Sequence, residues 1–140
     1  MTDEDLVAKK LALIETYVRE LRELANPGML AGDVRERRFV EHTLQIAIQA
    51  MLDVASHIVS DEHLGEPETN SQLFDRLAAA HWVSEAQRRT FVAMAGFRNI
   101  LVHGYAAVDL AIVRNIVENH LGDLTDFVTA VRSRLSGRRA

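Results

Sequence analysis

Four polar side chains capable of phosphate-ester chemistry fall within eight residues: Arg98, Asn99, His103 and Tyr105, in the stretch Gly96-Phe-Arg-Asn-Ile-Leu-Val-His-Gly-Tyr105. An imidazole can take or give a proton near neutral pH. A guanidinium can hold phosphate oxygens and the negative charge that develops on them. Phe97 and the run Ile100, Leu101, Val102 surround these groups, so the segment is expected to be largely buried. Gly104 is a natural helix stop, which puts Arg98 to His103 on the last turn and a half of a helix and Tyr105 just beyond it. Asn99 and His103, four apart, share a face. Arg98 and His103, five apart, are separated by roughly 140° on an ideal helix and converge only if the arginine wraps around or the last turn loosens. A structural reading stands beside the catalytic one: a histidine in a last turn is favoured by the helix dipole, and an arginine can cap the final carbonyls.

The elements that must position these residues are helical. Only two prolines and seven glycines punctuate the chain. Val7, Leu11, Ile14, Val18, Leu21 and Ala25 recur at steps of four and three, predicting a first helix from about Asp3 to Ala25 that Asn26-Pro27-Gly28 ends. A second helix is expected from near Asp33 to about Ser60, with Val40, Leu44, Ala47, Met51, Ala55 and Ile58 as its apolar stripe. It carries a polar line at i+4 steps, Glu41, Gln45, Gln49, Asp53 and His57, flanked by Ile46, Ile48 and Leu52. Such a line suits a wet subunit interface or an active-site wall, and Asp53 and His57 can hydrogen-bond across one turn.

After a loop over 61–70, Ser71 is expected to cap a short helix through Ala80, with Leu73, Phe74 and Leu77 inward. Trp82 is read as core. Ser84-Glu-Ala-Gln87 is a capping box that opens the helix carrying the motif. Gly96 inside that helix costs roughly 1 kcal/mol against alanine, which a close helix–helix approach would explain. Asp109 is expected to cap a single final helix with the period Ile112, Ile116, His120, Leu124, Phe127, Val131, Leu135 and a possible irregularity at Gly122. No strand pattern is found. The expected fold is an all-α up-and-down bundle of about four long helices plus a short one, in one domain over residues 1–140.

Composition narrows the partners. Apolar residues make up 48% and charged residues 26% of the 140, as in globular proteins. No apolar run nears the roughly 20 residues of a membrane span, and the acidic start Met-Thr-Asp-Glu-Asp lacks a signal-peptide core, so a cytoplasmic location with no membrane partner is expected. Without cysteine there is neither a disulfide framework nor thiolate chemistry. A net charge of −4 requires any RNA site to be a local basic cleft on an acidic body. Arg35, Arg37, Arg38, Arg88 and Arg89 are candidate contributors, each otherwise a solvated surface charge. No set of residues has metal-ligand spacing, and no cofactor is expected.

The spacing Arg98-x4-His103-x-Tyr105 resembles the motif of HEPN ribonucleases, and specifically the HepT toxins of toxin–antitoxin pairs. The string Met94-Ala-Gly-Phe-Arg-Asn-Ile-Leu-Val-His-Gly-Tyr-Ala-Ala-Val-Asp109 is very close to that family's pattern, and a second similar region is Glu41-His-Thr-Leu-Gln-Ile-Ala-Ile-Gln-Ala-Met-Leu-Asp-Val-Ala-Ser-His-Ile58. The resemblance implies the toxin half of a type VII-like pair: a metal-independent endoribonuclease acting on RNA, with Arg98 and His103 in a homodimer cleft. It also implies a MntA-type nucleotidyltransferase antitoxin that transfers AMP to Tyr105 and silences the toxin. Asn99 would orient the imidazole or the phosphate. Tyr105 has a structural reading as well, an interface tyrosine with a satisfied hydroxyl. The alternative for the whole chain is a non-catalytic HEPN module that binds a nucleotidyltransferase or its substrate.

Overall fold

The structure, a computed structural model, describes residues 2–103 and 108–139. All the regular secondary structure in them is helical: α1 (Glu4–Leu24), a 3₁₀ turn (Pro27–Met29), α2 (Val34–Asp61), α3 (Asn70–Ala79), α4 (Glu85–His103), α5 (Leu110–Asn119) and α6 (Leu121–Arg139). Asp3 caps α1 by accepting from the Leu6 amide, and Asp33 caps α2 by accepting from the amides of Arg35 and Glu36. Both satisfy donors that a helix start leaves unpaired. The expected stripes are inside: Val7, Leu11, Ile14, Val18 and Leu21 of α1, and all six apolar stripe positions of α2, are buried, while Ala25 is half-buried. α2 packs against α1, α3, α4 and α6, so it is the central wall of the bundle.

The helix that carries the motif is anchored two turns upstream of Arg98. Phe91 of α4 meets Phe127 of α6 edge-on, with centroids 5.3 Å apart, and Phe74 of α3 at 5.7 Å; Phe74 and Phe127 close the triangle at 6.3 Å. All three rings are fully buried. Tilted and edge-to-face pairs of this kind contribute roughly 0.5–1.5 kcal/mol each beyond the area they bury. The capping box of α4 is formed in both directions: Gln87 N–H donates to Ser84 Oγ over 3.1 Å, and Ser84 N–H donates to Gln87 Oε1 over 2.9 Å.

Two helices end in the same motif with histidine in the left-handed position. After α3, His81 (φ 64°) donates to the Ala78 carbonyl and Trp82 to the Leu77 carbonyl; after α2, His63 (φ 53°) donates to Ser60 and Leu64 to Val59. These are Schellman bonds, usually built around glycine. Trp82 is core as expected, 3% exposed, with the Arg134 guanidinium 5.3 Å above its ring.

Four expectations are corrected. α3 is capped by Thr69, whose side chain accepts from the Gln72 amide, and not by Ser71. The single final helix is two. Its break falls at His120, two residues before Gly122: the His120 amide closes α5 on Ile116, and its ring meets Asp123 Oδ2 at 3.1 Å in the first turn of α6. The apolar face therefore resets, burying Val113 and Leu121 while Ile112 and His120 turn outward. A Cβ placed on Gly96 finds no atom within 4 Å, so no neighbouring helix of this chain approaches it closely. The segment around the motif is not buried within the chain: Phe97 is, but Ile100 is 50% exposed and Leu101 and Val102 are half-buried.

Candidate active site

Arg98 and His103 leave α4 on different sides. Arg98 lies roughly 20° around the helix from Phe91, which draws its stem toward the core; the residue is half-buried, and its Nε is covered and without a partner among the described residues. The guanidinium bends back outward, and Nη1 donates to Asn99 Oδ1 over 3.3 Å. His103, the last residue of α4, is exposed. It shares its face with Arg89, Ala93, Gly96 and Ile100, at steps of four and three, and all five are exposed. Within one chain no hydrogen bond joins Arg98 to His103 among the described residues, as the 140° separation requires. Gly104 and Tyr105 lie outside the described residues.

Asn99 faces the second helix. Together with Gln49, Asp53 and Ser56 of α2 and Thr69 and Asn70 at the start of α3, it lines a groove of 510 Å³. The polar line of α2 is half-buried at each of its five positions, and two of them, Gln49 and Asp53, border this groove. Asp53 does not bond His57. Its Oδ2 takes the Lys10 ammonium of α1 at 3.2 Å and its Oδ1 accepts from Gln49 Nε2 at 2.8 Å. Both carboxylate oxygens are thereby engaged, and His57, half-buried one turn on, is left outside the pair. This fixes the Gln49 amide with Oε1 covered and without a partner among the described residues. Sequence reasoning listed Gln49 only as a stripe member and missed Lys10; a partner 43 positions away carries no local signal.

Among the candidate cations, Arg88 is committed elsewhere. Its Nε and Nη2 donate to the two oxygens of Glu85 at 2.9 and 2.5 Å, and its Nη1 to Asp75 at 3.0 Å. The hydrogen bonds to Glu85 and then Asp75 raise the arginine's pKa, and the same contact lowers that of Glu85. Arg35, Arg38 and Arg89 are exposed, while Arg37 is half-buried with its Nε covered and unpartnered. Among the described residues no three His, Asp or Glu side chains cluster as a metal site. Nor is any helix there long and apolar enough to cross a membrane.

Known proteins resemble this chain over most of its length. The mRNA nuclease HepT of Shewanella oneidensis is 28% identical over 130 residues, covering 92% of this chain and 98% of that protein. The tRNA nuclease HepT of Aphanizomenon flos-aquae is 26% identical over 106 residues, 74% of this chain and 72% of its own. The tri-AMPylated Shewanella oneidensis HEPN toxin, solved in complex with its MNT antitoxin, superposes with a TM-score of 0.86 at 27% identity, over 95% of this chain and 99% of that one. The sequence profile of the ribonuclease HepT-like proteins matches residues 14–131. The chain belongs to the ribonuclease HepT-like family.

Proposed function

We propose that this chain is the toxin of a toxin–antitoxin pair, a single-domain, cytoplasmic endoribonuclease that cuts RNA without a metal and works as a homodimer. The observation that carries the reading is the placement of Arg98, Asn99 and His103 at the exposed end of α4, with the guanidinium held to Asn99 and His103 open to solvent. RNA brings its own nucleophile. The 2′-hydroxyl attacks the adjacent phosphorus as its proton passes to an imidazole; the bond from phosphorus to the 5′-oxygen breaks, and that oxygen takes a proton from an acid. His103 is the base or the acid. Arg98 holds the non-bridging oxygens as charge builds on the five-coordinate phosphorus, and Asn99 fixes the direction of its guanidinium.

One chain offers one motif histidine for two proton transfers. A two-fold dimer brings two Arg98–His103 pairs to one cleft, each arginine serving across from the other copy's histidine. Support comes from the exposed face of Ala93, Gly96, Ile100 and His103, where the bare Gly96 leaves room for a second copy's helix to approach. The partner is a MntA-like nucleotidyltransferase that transfers AMP to the Tyr105 hydroxyl. Phosphates two residues from His103 would fill and neutralise the cleft. The test is direct: purified protein should cut RNA undiminished in EDTA and lose activity as the partner and ATP add AMP-sized mass. No cleavage of any RNA by unmodified dimer would leave the non-catalytic module as the better account.

A further inference from the structure

The groove beside Asn99 does not stop there. A second hollow of 510 Å³, bordered by Ser60, His63 and Glu66, adjoins it and shares Ser56, Pro67 and Leu73. The two form one trough along α2, roughly 17 Å long between Gln49 and Ser60 at about 1.5 Å per residue. Its chemistry is the opposite of a phosphate track. Carboxylates of Asp53, Glu66 and Glu68 line it, the first of them paired with Lys10, and no arginine or lysine is among its lining residues. Phosphates are repelled from such walls, while uncharged base edges are not.

From this we infer that the trough is the substrate-specificity site of the nuclease: it takes the bases of single-stranded RNA next to the scissile phosphate, base edges inward and backbone outward. The inference rests on the ribonuclease reading and adds what the enzyme reads. The trough begins at Asn99, whose Oδ1 is held by Arg98. A phosphate on that guanidinium therefore sits at the trough's mouth, and the neighbouring nucleotide enters it. With Oδ1 occupied, Nδ2 is the free donor of Asn99, suited to a base carbonyl. Gln49, its Nε2 clamped on Asp53 Oδ1 at 2.8 Å, lines the trough with Asn99 and presents a fixed amide to what lies there. Pro67 and Leu73 give the bases an apolar surface to lie on. A duplex hides these base edges in its grooves, so the substrate class is unpaired RNA.

Two variants test this on the intact protein. Ser56 is exposed on α2 and common to both hollows. Ser56→Trp should fill the trough and raise KM for a single-stranded oligoribonucleotide about tenfold or more, with kcat changed far less. Gln49→Leu should keep cleavage but change which bases flank the cut, the size of effect expected when a hydrogen-bonded base contact is lost, about tenfold between bases. Wild-type KM and cut sites on the oligonucleotide retained by both variants would overturn the inference. So would retained cleavage by Ser56→Trp accompanied by lost inhibition by the nucleotidyltransferase, which would assign the trough to that protein. If wild type does not cut the oligonucleotide, it is the ribonuclease reading that has failed.

Discussion

Arg98 holds Asn99 by a hydrogen bond from Nη1 to Oδ1 of 3.3 Å, and it does so while its own Nε is covered and has no partner among the described residues. The arginine is thus anchored at its base by the core and aimed at its tip by a neighbour. That is the disposition needed of a group that must meet a phosphate without first being ordered.

The bare face around Gly96 gives a prediction with two signs. Gly96→Ala adds a methyl group that meets nothing within the chain and restores helix propensity, so it should raise the stability of the isolated chain by about 0.5–1 kcal/mol. Gly96→Trp should instead prevent a second copy from approaching. Sedimentation should report monomer and cleavage should fall. An unchanged dimer mass in Gly96→Trp would remove this face from the interface.

His81 and His63 hold left-handed conformations that cost a side chain roughly 1 kcal/mol or more. Glycine has no such penalty, though it loses more entropy on folding. His81→Gly should therefore stabilise the protein by about 0.5–1 kcal/mol in denaturant titrations with no change in slope. A loss of stability would mean that the imidazole makes up for its backbone strain.

Glu15 of α1 is paired with Arg132 of α6 through two hydrogen bonds, 3.0 and 2.6 Å. Those bonds, with the charge of Arg132, hold the carboxyl below its ordinary range against a smaller opposing desolvation. Because the folded pKa is depressed, the pair's contribution is present above the unfolded value near pH ~4.3 and is lost as pH falls through the lowered folded value. Both groups are nearly half exposed, so its size is about 0.2–1 kcal/mol. Glu15→Gln should cost that much at pH 7 and nothing at a pH below both values. An equal cost at both pH values would show that packing, not charge, is what was lost.

Tyr105→Phe keeps the ring and removes only the oxygen proposed as the AMP acceptor. It should remain an active nuclease, gain no AMP-sized mass with the nucleotidyltransferase and ATP, and stay active in their presence. A mass shift that persists in Tyr105→Phe would place the acceptor on another residue.

Much of the fold could be read from the sequence because its signals are local. The stripe of α1, the start of α2 near Asp33, the Ser84–Gln87 box and the Asp109 cap are each decided within a few residues, and each forms as read. What could not be read depends on distant or missing neighbours. The break at His120 follows from how α5 and α6 settle on the rest of the bundle, not from Gly122. Lys10 takes Asp53 away from His57 across 43 positions. The run Ile100–Val102 suggested burial from its hydrophobicity, yet among the described residues Ile100 stays half exposed and Leu101 and Val102 are only half-buried. The candidate site residues were picked out on a local signal as well: Arg98, Asn99 and His103 fall within six residues beside an apolar run.

That Arg98 and His103 carry out RNA cleavage is tested by single-turnover cutting of a fluorescent RNA by purified wild-type, His103→Ala and Arg98→Ala proteins of matched fold and oligomeric state. A loss of about 10²–10⁴-fold is expected for the histidine variant and a loss of comparable order for the arginine variant, with thermal unfolding little changed because His103 is exposed and Arg98 only half-buried. Wild-type cleavage rates in His103→Ala would contradict it.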